Sequence, residues 1–424
     1  MRSAKSMRRV ALLSLHSSPI APLGRADVGG MNLYVRRLAD EFQDFGIQAD
    51  IFTRHADSKD PEVVVLESGA RVIHLQAGPK RHLPKSVLPL QMPALAAAFG
   101  AFIERERREY DILHSHYWIS GQVAMRYRVQ QDSDRPFVHM FHTLAKVKEQ
   151  YQGTPDKQES ALRFDGERCL IGRADAIAGA TEGEARAQAR LYGRSPQRFA
   201  VIPPGVDVEQ FSPRSKTSAR ARLGVHAEHV ILFVGRLDRL KGLDTLLTAV
   251  SLFPPEVCSG LKVLFVGGRE KRGAHGAPRL QHVVERLGLQ HLVEFRGKVS
   301  QEELPWYYAA ADVCAVPSAH ETFGMVATEA MACQTPPVAF AVGGLTTTIS
   351  DGQTGFLVPA ADTAAFARTL EHALCRAPLE LIGRRARLSV QRYSWRRTAE
   401  RTIQLYEELE QNAERSRWPR VAGQ

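Results

Sequence analysis

The sequence predicts an α/β protein built from two doubly wound, Rossmann-like domains that face a central cleft. Three observations predict it. Short apolar, β-rich runs alternate with longer amphipathic stretches, the signature of βαβ units and parallel sheets. The alternation restarts after Asp207. The chain of 424 residues is also longer than one hydrophobic core usually serves.

In the first half, VALLSL (10–15) reads as a strand, MNLYVRRLADEFQDFG (31–46) as a helix and ADIFTR (49–54) as the next strand, a parallel βαβ sense. DILHSHYW, FVHMFHT, ADAIAGAT and FAVIPP continue the series. The second series runs HVILFVGRL, LKVLFVGG, LVEFRGKV, ADVCAVPS and PPVAFAV, each followed by a helical pattern or a glycine-rich turn. The join is Pro203-Pro204-Gly205-Val206-Asp207, where two prolines deny helical continuation and a glycine permits a sharp turn. The expected organisation is therefore a domain over 1–207, a second over 208–395, and a charged helix with a polar tail over 396–424.

Arg8 and Arg9 before an apolar run imitate a secretory signal, but the run stops at His16 and reads better as a buried first strand. No stretch approaches the roughly 18 apolar residues a membrane span needs. Five cysteines, odd in number and without a C-x-x-C pair, indicate neither a disulfide framework nor a zinc site and fit a reducing cytoplasm. The net charge of +10 is scattered among acidic residues. That favours anionic small-molecule substrates over nucleic acid, for which no binding motif is present.

In open α/β sheets ligands sit beyond the carboxyl ends of the strands, so residues just after each strand are the informative ones. Gly29 and Gly30 immediately precede a helix, where backbone N–H groups and the helix dipole can meet an anion. In GRLDRLKG, Arg236 and Lys241 stand five residues apart, two fixed cations suited to a diphosphate. PSAHETFGMVATE places Glu321 in a loop after a strand, Phe323, Gly324 and Met325 at a helix opening, and Glu329 on that helix. Carboxylates there can hold sugar and ribose hydroxyls. For each motif alone, a plain helix cap or solvated charge is a competing explanation. His114 and His116 project to one strand face and imitate a metal pair, with no third ligand evident in the sequence.

Together these motifs resemble the retaining GT-B glycosyltransferases of family 4 (glycosyl transferases group 1) from about residue 10 to about residue 395. The segments HSSPIAPLGRADVGGMNLYV, HSHYWISGQV, HTLAKVK and GRLDRLKG are most similar to the branch that glycosylates inositol phosphate in mycothiol biosynthesis, and sucrose-phosphate synthases share many of them. The resemblance implies a UDP-sugar donor held by Arg236 and Lys241 at the diphosphate, Glu321 at the sugar and Glu329 at the ribose. Pro22, Leu23, Gly30, Val299, Phe323, Gly324 and Met325 would complete that site. For the acceptor it implies His16, Asp27, Gly29, Gly30, Met31 and Asn32, with Lys85, Tyr117, Thr143 and Arg163 as a phosphate cage. His142 would sit near the transferred sugar. A magnesium ion at Tyr308, Ala309, Ala311 and Thr335 would be nonessential, no cofactor is required, and a homodimer is compatible with the sequence.

The expected chemistry is transfer with retention by same-face substitution, since no motif sets a carboxylate against the anomeric carbon. The donor sugar expected is N-acetylglucosamine and the acceptor 1D-myo-inositol 3-phosphate. Alternatives are UDP-glucose to fructose 6-phosphate, transfer to an aminocyclitol or glycan, and a silent sugar-nucleotide-binding module, against which the intact Arg236, Lys241 and Glu321 argue.

Overall fold

The structure is a computed structural model that describes residues 9–21, 29–152, 159–237, 239–268 and 277–417. The chain divides into two units. Of the described residues, one takes those up to Pro203 together with Trp395–Arg417, and the other takes those within Pro204–Ser394.

The first unit is built on β1 (Arg9–Leu13), β2 (Gln48–Arg54), β3 (Val63–Val65), β4 (Arg71–Leu75), β5 (Ile112–His116), β6 (Phe137–Met140), β7 (Ala176–Gly179) and β8 (Phe199–Val201). Their order is β3-β4-β2-β1-β5-β6-β7-β8, parallel except where β3 runs antiparallel to β4 at the edge. Val10–Leu13 are fully buried in the middle of the sheet, as an uninterrupted apolar run in a doubly covered strand requires.

The second unit carries β9 (His229–Val234), β10 (Leu261–Val266), β11 (Val293–Gly297), β12 (Val313–Val316), β13 (Pro337–Phe340) and β14 (Phe356–Val358). The order β11-β10-β9-β12-β13-β14 is parallel throughout. This is the 3-2-1-4-5-6 order of the doubly wound nucleotide-binding fold.

Every strand expected from the sequence forms, and three more appear. Among the described residues these are β3, β4 and β14. The terminal helix, Trp395–Arg417, is not a separate tail: it belongs to the first unit. Its apolar side fixes it there. Trp395 packs edge-on to Tyr34 at 5.9 Å, Tyr406 is wholly buried, and Thr398 Oγ1 donates to the Pro203 carbonyl at 2.8 Å.

Candidate active site

In the second sheet the strand order reverses between β9 and β12, which pair at Ile231–Val313 and Leu232–Cys314. Chain leaving these neighbours at their carboxyl ends flanks the crevice where ligands bind in such sheets. After β9, Gly235 turns the chain at φ +149°, Arg236 is exposed, and a short 3-10 turn, Arg239–Lys241, leads to Gly242 at φ +71°. Gly242 caps the helix Leu243–Val250. A Cβ there would lie 1.8 Å from the Pro317 carbonyl oxygen, so only glycine lets the two loops press together. Ala319 N–H donates to the Leu240 carbonyl at 2.9 Å and stitches them.

That contact aligns two side chains from different loops. Lys241 Nζ donates to Glu321 Oε1 at 2.5 Å, and Ser318 Oγ donates to the same oxygen at 2.9 Å. Burial pushes the Glu321 carboxyl up, but the Lys241 charge and the Lys241 and Ser318 hydrogen bonds outweigh it and hold the group below its ordinary range. A third loop closes on the same residue: Gly344 N–H donates to the Glu321 carbonyl at 2.8 Å, and a Cβ on Gly343 would fall 1.9 Å from that carbonyl oxygen.

Beyond Glu321, Phe323 is buried edge-on to Tyr393, and Gly324, at φ +93°, opens the helix Met325–Ala332. Val299, half-buried, follows β11 at the same end of the sheet. Glu329 stands apart from the ion pair. It is 7% exposed and accepts from Tyr308 Oη at 2.9 Å. Burial, only partly offset by that bond, pushes its carboxyl up to about 7.

Tyr308, Ala309, Ala311 and Thr335 do gather, but as a hydrogen-bonded turn. The Tyr308 carbonyl already accepts from Thr335 Oγ1 at 2.7 Å and Ala311 N–H at 3.1 Å, and the Arg220 guanidinium donates to the neighbouring Ala310 carbonyl at 3.0 Å. Among the described residues no group of three or more His, Cys, Asp or Glu side chains could hold a metal.

In the first unit the order reverses between β1 and β5. His16, after β1, stacks on Tyr117, after β5, with ring centroids 4.1 Å apart. Tyr117 holds φ +71°, a strained value for an aromatic residue of the kind that clusters at functional sites. Asn32 is buried at the helix start: its Oδ1 accepts from Gly29 N–H at 3.1 Å, and its Nδ2 donates to Ser17 Oγ at 2.8 Å and the Ser18 carbonyl at 3.0 Å. It thus ties the loop after β1 to the helix Gly30–Asp44, whose N-terminus Gly30 leaves exposed and Met31 half-covers. Among the described residues, a Cβ on Gly29 would meet nothing within 4 Å.

Tyr117, Thr143 and Arg163 are brought together. Arg163 lies over the Tyr117 ring at 5.1 Å, and its Nη2 donates to the Thr143 carbonyl at 3.0 Å. The cage is not simply cationic, because Glu167 and Glu159 lie 2.8 and 3.0 Å from the Arg163 guanidinium. Lys85 is exposed on the segment between β4 and the helix Met92–Glu106. Pro22, Leu23 and Asp27 lie outside the described residues.

His142 is held at φ +59°, its Nε2 3.0 Å from His116 Nδ1. His116 stacks on His114, whose Nδ1 meets Tyr406 Oη at 2.6 Å. The paired histidines of β5 thus belong to a buried side-chain row with His142 and Tyr406. Burial lowers His142 to about 3, so the ring is neutral near pH 7. The Gly343-Gly344 turn escapes sequence reading, because it matters only through Glu321, which lies in a different segment of the chain.

A doubly wound unit of nucleotide-binding order, with a cation and a carboxylate locked together at its switch point, alongside a second such unit, defines a GT-B glycosyltransferase. The chain belongs to family 4 of these enzymes: residues 215–389 match the model "Glycosyl transferases group 1", and residues 29–205 match "Glycosyl transferase 4-like domain". It is 41% identical over 437 residues to a D-inositol 3-phosphate glycosyltransferase of Kineococcus radiotolerans, covering 99% of this chain and 100% of that one. A D-inositol 3-phosphate glycosyltransferase of Geodermatophilus obscurus is 41% identical, covering 94% and 89%. Among solved structures, sucrose-phosphate synthase from Thermosynechococcus elongatus superposes with a TM-score of 0.87 at 34% identity, covering 96% of this chain and 100% of that one. No helix among the described residues is long and apolar enough to cross a membrane.

Proposed function

We propose that this glycosyltransferase moves N-acetylglucosamine from UDP-N-acetylglucosamine to 1D-myo-inositol 3-phosphate with retention of anomeric configuration, a step of mycothiol biosynthesis. The observation that carries the acceptor assignment is the convergence of Tyr117 and Thr143 on Arg163, in a chain whose full-length relatives bear that acceptor in their names. Arg163 and the hydroxyls supply charge and donors for a phosphate.

In the same-face mechanism the bond from the anomeric carbon to the β-phosphate oxygen breaks as the acceptor oxygen attacks from the same side. The departing phosphate oxygen takes the acceptor proton. Arg236 and Lys241 offset the negative charge that grows on the diphosphate. Glu321, ionised and fixed by Lys241 and Ser318, accepts from sugar hydroxyls, and Glu329 is assigned to the ribose. Neutral His142 offers the transferred sugar a hydrogen-bonding ring without a charge. Because two side-chain cations do the neutralising, transfer proceeds without a divalent metal.

A second reading, UDP-glucose to fructose 6-phosphate, is favoured by the likeness to sucrose-phosphate synthase. The test offers UDP-N-acetylglucosamine or UDP-glucose with inositol 3-phosphate, fructose 6-phosphate or their unphosphorylated forms, with and without EDTA, and detects products by mass spectrometry and anomeric configuration by NMR. An α-linked N-acetylglucosaminyl inositol phosphate, formed equally in EDTA, is expected. Product from fructose 6-phosphate alone selects the second reading, a β-linked product removes the retaining mechanism, and loss of activity in EDTA removes the metal-free one.

A further inference from the structure

Arg163 is held by two carboxylates that differ in kind. Glu167 is fully buried and also accepts from Ala145 N–H at 3.0 Å and from the Tyr192 hydroxyl. It belongs to the scaffold and keeps the guanidinium in place. Glu159 keeps 17% of its side chain exposed, and two cations converge on it: Lys148 Nζ lies 2.5 Å from Oε1 and Arg163 Nη1 lies 3.0 Å from Oε2. Lys148 itself is 35% exposed. Thr143, exposed, sits against the same guanidinium, with its Oγ1 3.5 Å from Nη2.

A partly exposed carboxylate bridging a lysine and an arginine, with an exposed hydroxyl beside it, has the charge and spacing of a bound oxyanion. We propose that Glu159 occupies the seat of the acceptor phosphate in the unliganded protein and that Lys148 is a further cation of that seat. This rests on the assignment of Thr143 and Arg163 to the acceptor site. The phosphate displaces Glu159 toward solvent and takes over both cations, while Glu167 holds Arg163 throughout. The exchange selects for phosphorylated acceptors, because a neutral polyol cannot replace the carboxylate that the two cations require.

The test is calorimetric titration of the full-length protein, without donor, using inorganic phosphate, inositol 3-phosphate and myo-inositol. Glu159→Gln keeps the shape of the side chain and removes its charge. It is expected to tighten both phosphate-bearing ligands about three- to tenfold, and Lys148→Gln to weaken them by a similar factor. Myo-inositol binding is unmoved in either variant. Unchanged or weaker inorganic phosphate binding in Glu159→Gln, or no effect of Lys148→Gln, overturns the proposal. If inorganic phosphate follows the expected pattern but inositol 3-phosphate does not bind, the seat stands and the acceptor assignment under "Proposed function" fails.

Discussion

Lys241 Nζ and Glu321 Oε1 lie 2.5 Å apart although 80 positions separate them in the chain. The pair exists because β9 and β12, distant in sequence, are neighbours in the sheet, and because Gly242 lets the loops that follow them touch. A cation fixed beside a carboxylate at a nucleotide-binding switch point can serve the leaving group and the sugar at once.

Replacing Lys241 by Ala removes one of the two charges assigned to the departing diphosphate. Steady-state kinetics should show kcat falling about 10²- to 10³-fold while the acceptor KM moves only a few-fold. A variant with wild-type kcat would remove Lys241 from the chemistry.

Gly242→Ala should destabilise the second unit by about 2–3 kcal/mol or more in chemical denaturation, because the new methyl group meets the Pro317 carbonyl and φ is positive. Gly224→Ala is the control. Gly224 has φ +63° with nothing within 4 Å of a Cβ, so it should lose only about 1 kcal/mol, from backbone strain alone. Equal losses in the two variants would mean that loop contact at Gly242 contributes nothing.

Glu329 supplies a pH-dependent prediction. Its carboxyl is pushed up to about 7 in the fold, from an ordinary value of 4.5. The neutral form is therefore favoured by folding, and its contribution is complete below about pH 4.5 and lost as pH rises through about 7. Glu329→Gln keeps an acceptor for the Tyr308 hydroxyl and carries no charge. Unfolding measured from pH 4.5 to 8 should show the native protein losing about 3 kcal/mol relative to the variant. Parallel curves would show that Glu329 ionises as an ordinary surface carboxylate.

Much of the site was legible as motif. Arg236, Lys241 and Glu321 stand in the loops that leave β9 and β12, Gly29-Gly30 opens the helix Gly30–Asp44, and parallel strands deliver their carboxyl ends to one side. What those residues touch was not legible. Arg163 reads as a cation for phosphate, yet the fold sets Glu159 and Glu167 against it. Glu329 reads as a carboxylate for the ribose, and its burial against the Tyr308 hydroxyl is not legible in the motif. His114 and His116 only imitate a metal pair in the sequence, and the partners they take in the fold, Tyr406 and His142, are not legible there.

The two doubly wound units are legible in the chain itself, because strand and helix periods and turn residues are local properties, whereas the division falls at Pro203/Pro204, four residues before the expected bound at Asp207. Strand order, the return of the Trp395–Arg417 helix to the first unit, and the opposite shifts of Glu321 and Glu329 emerge only on folding. Those depend on which distant segments become neighbours, and on how much water that leaves around an ionisable side chain.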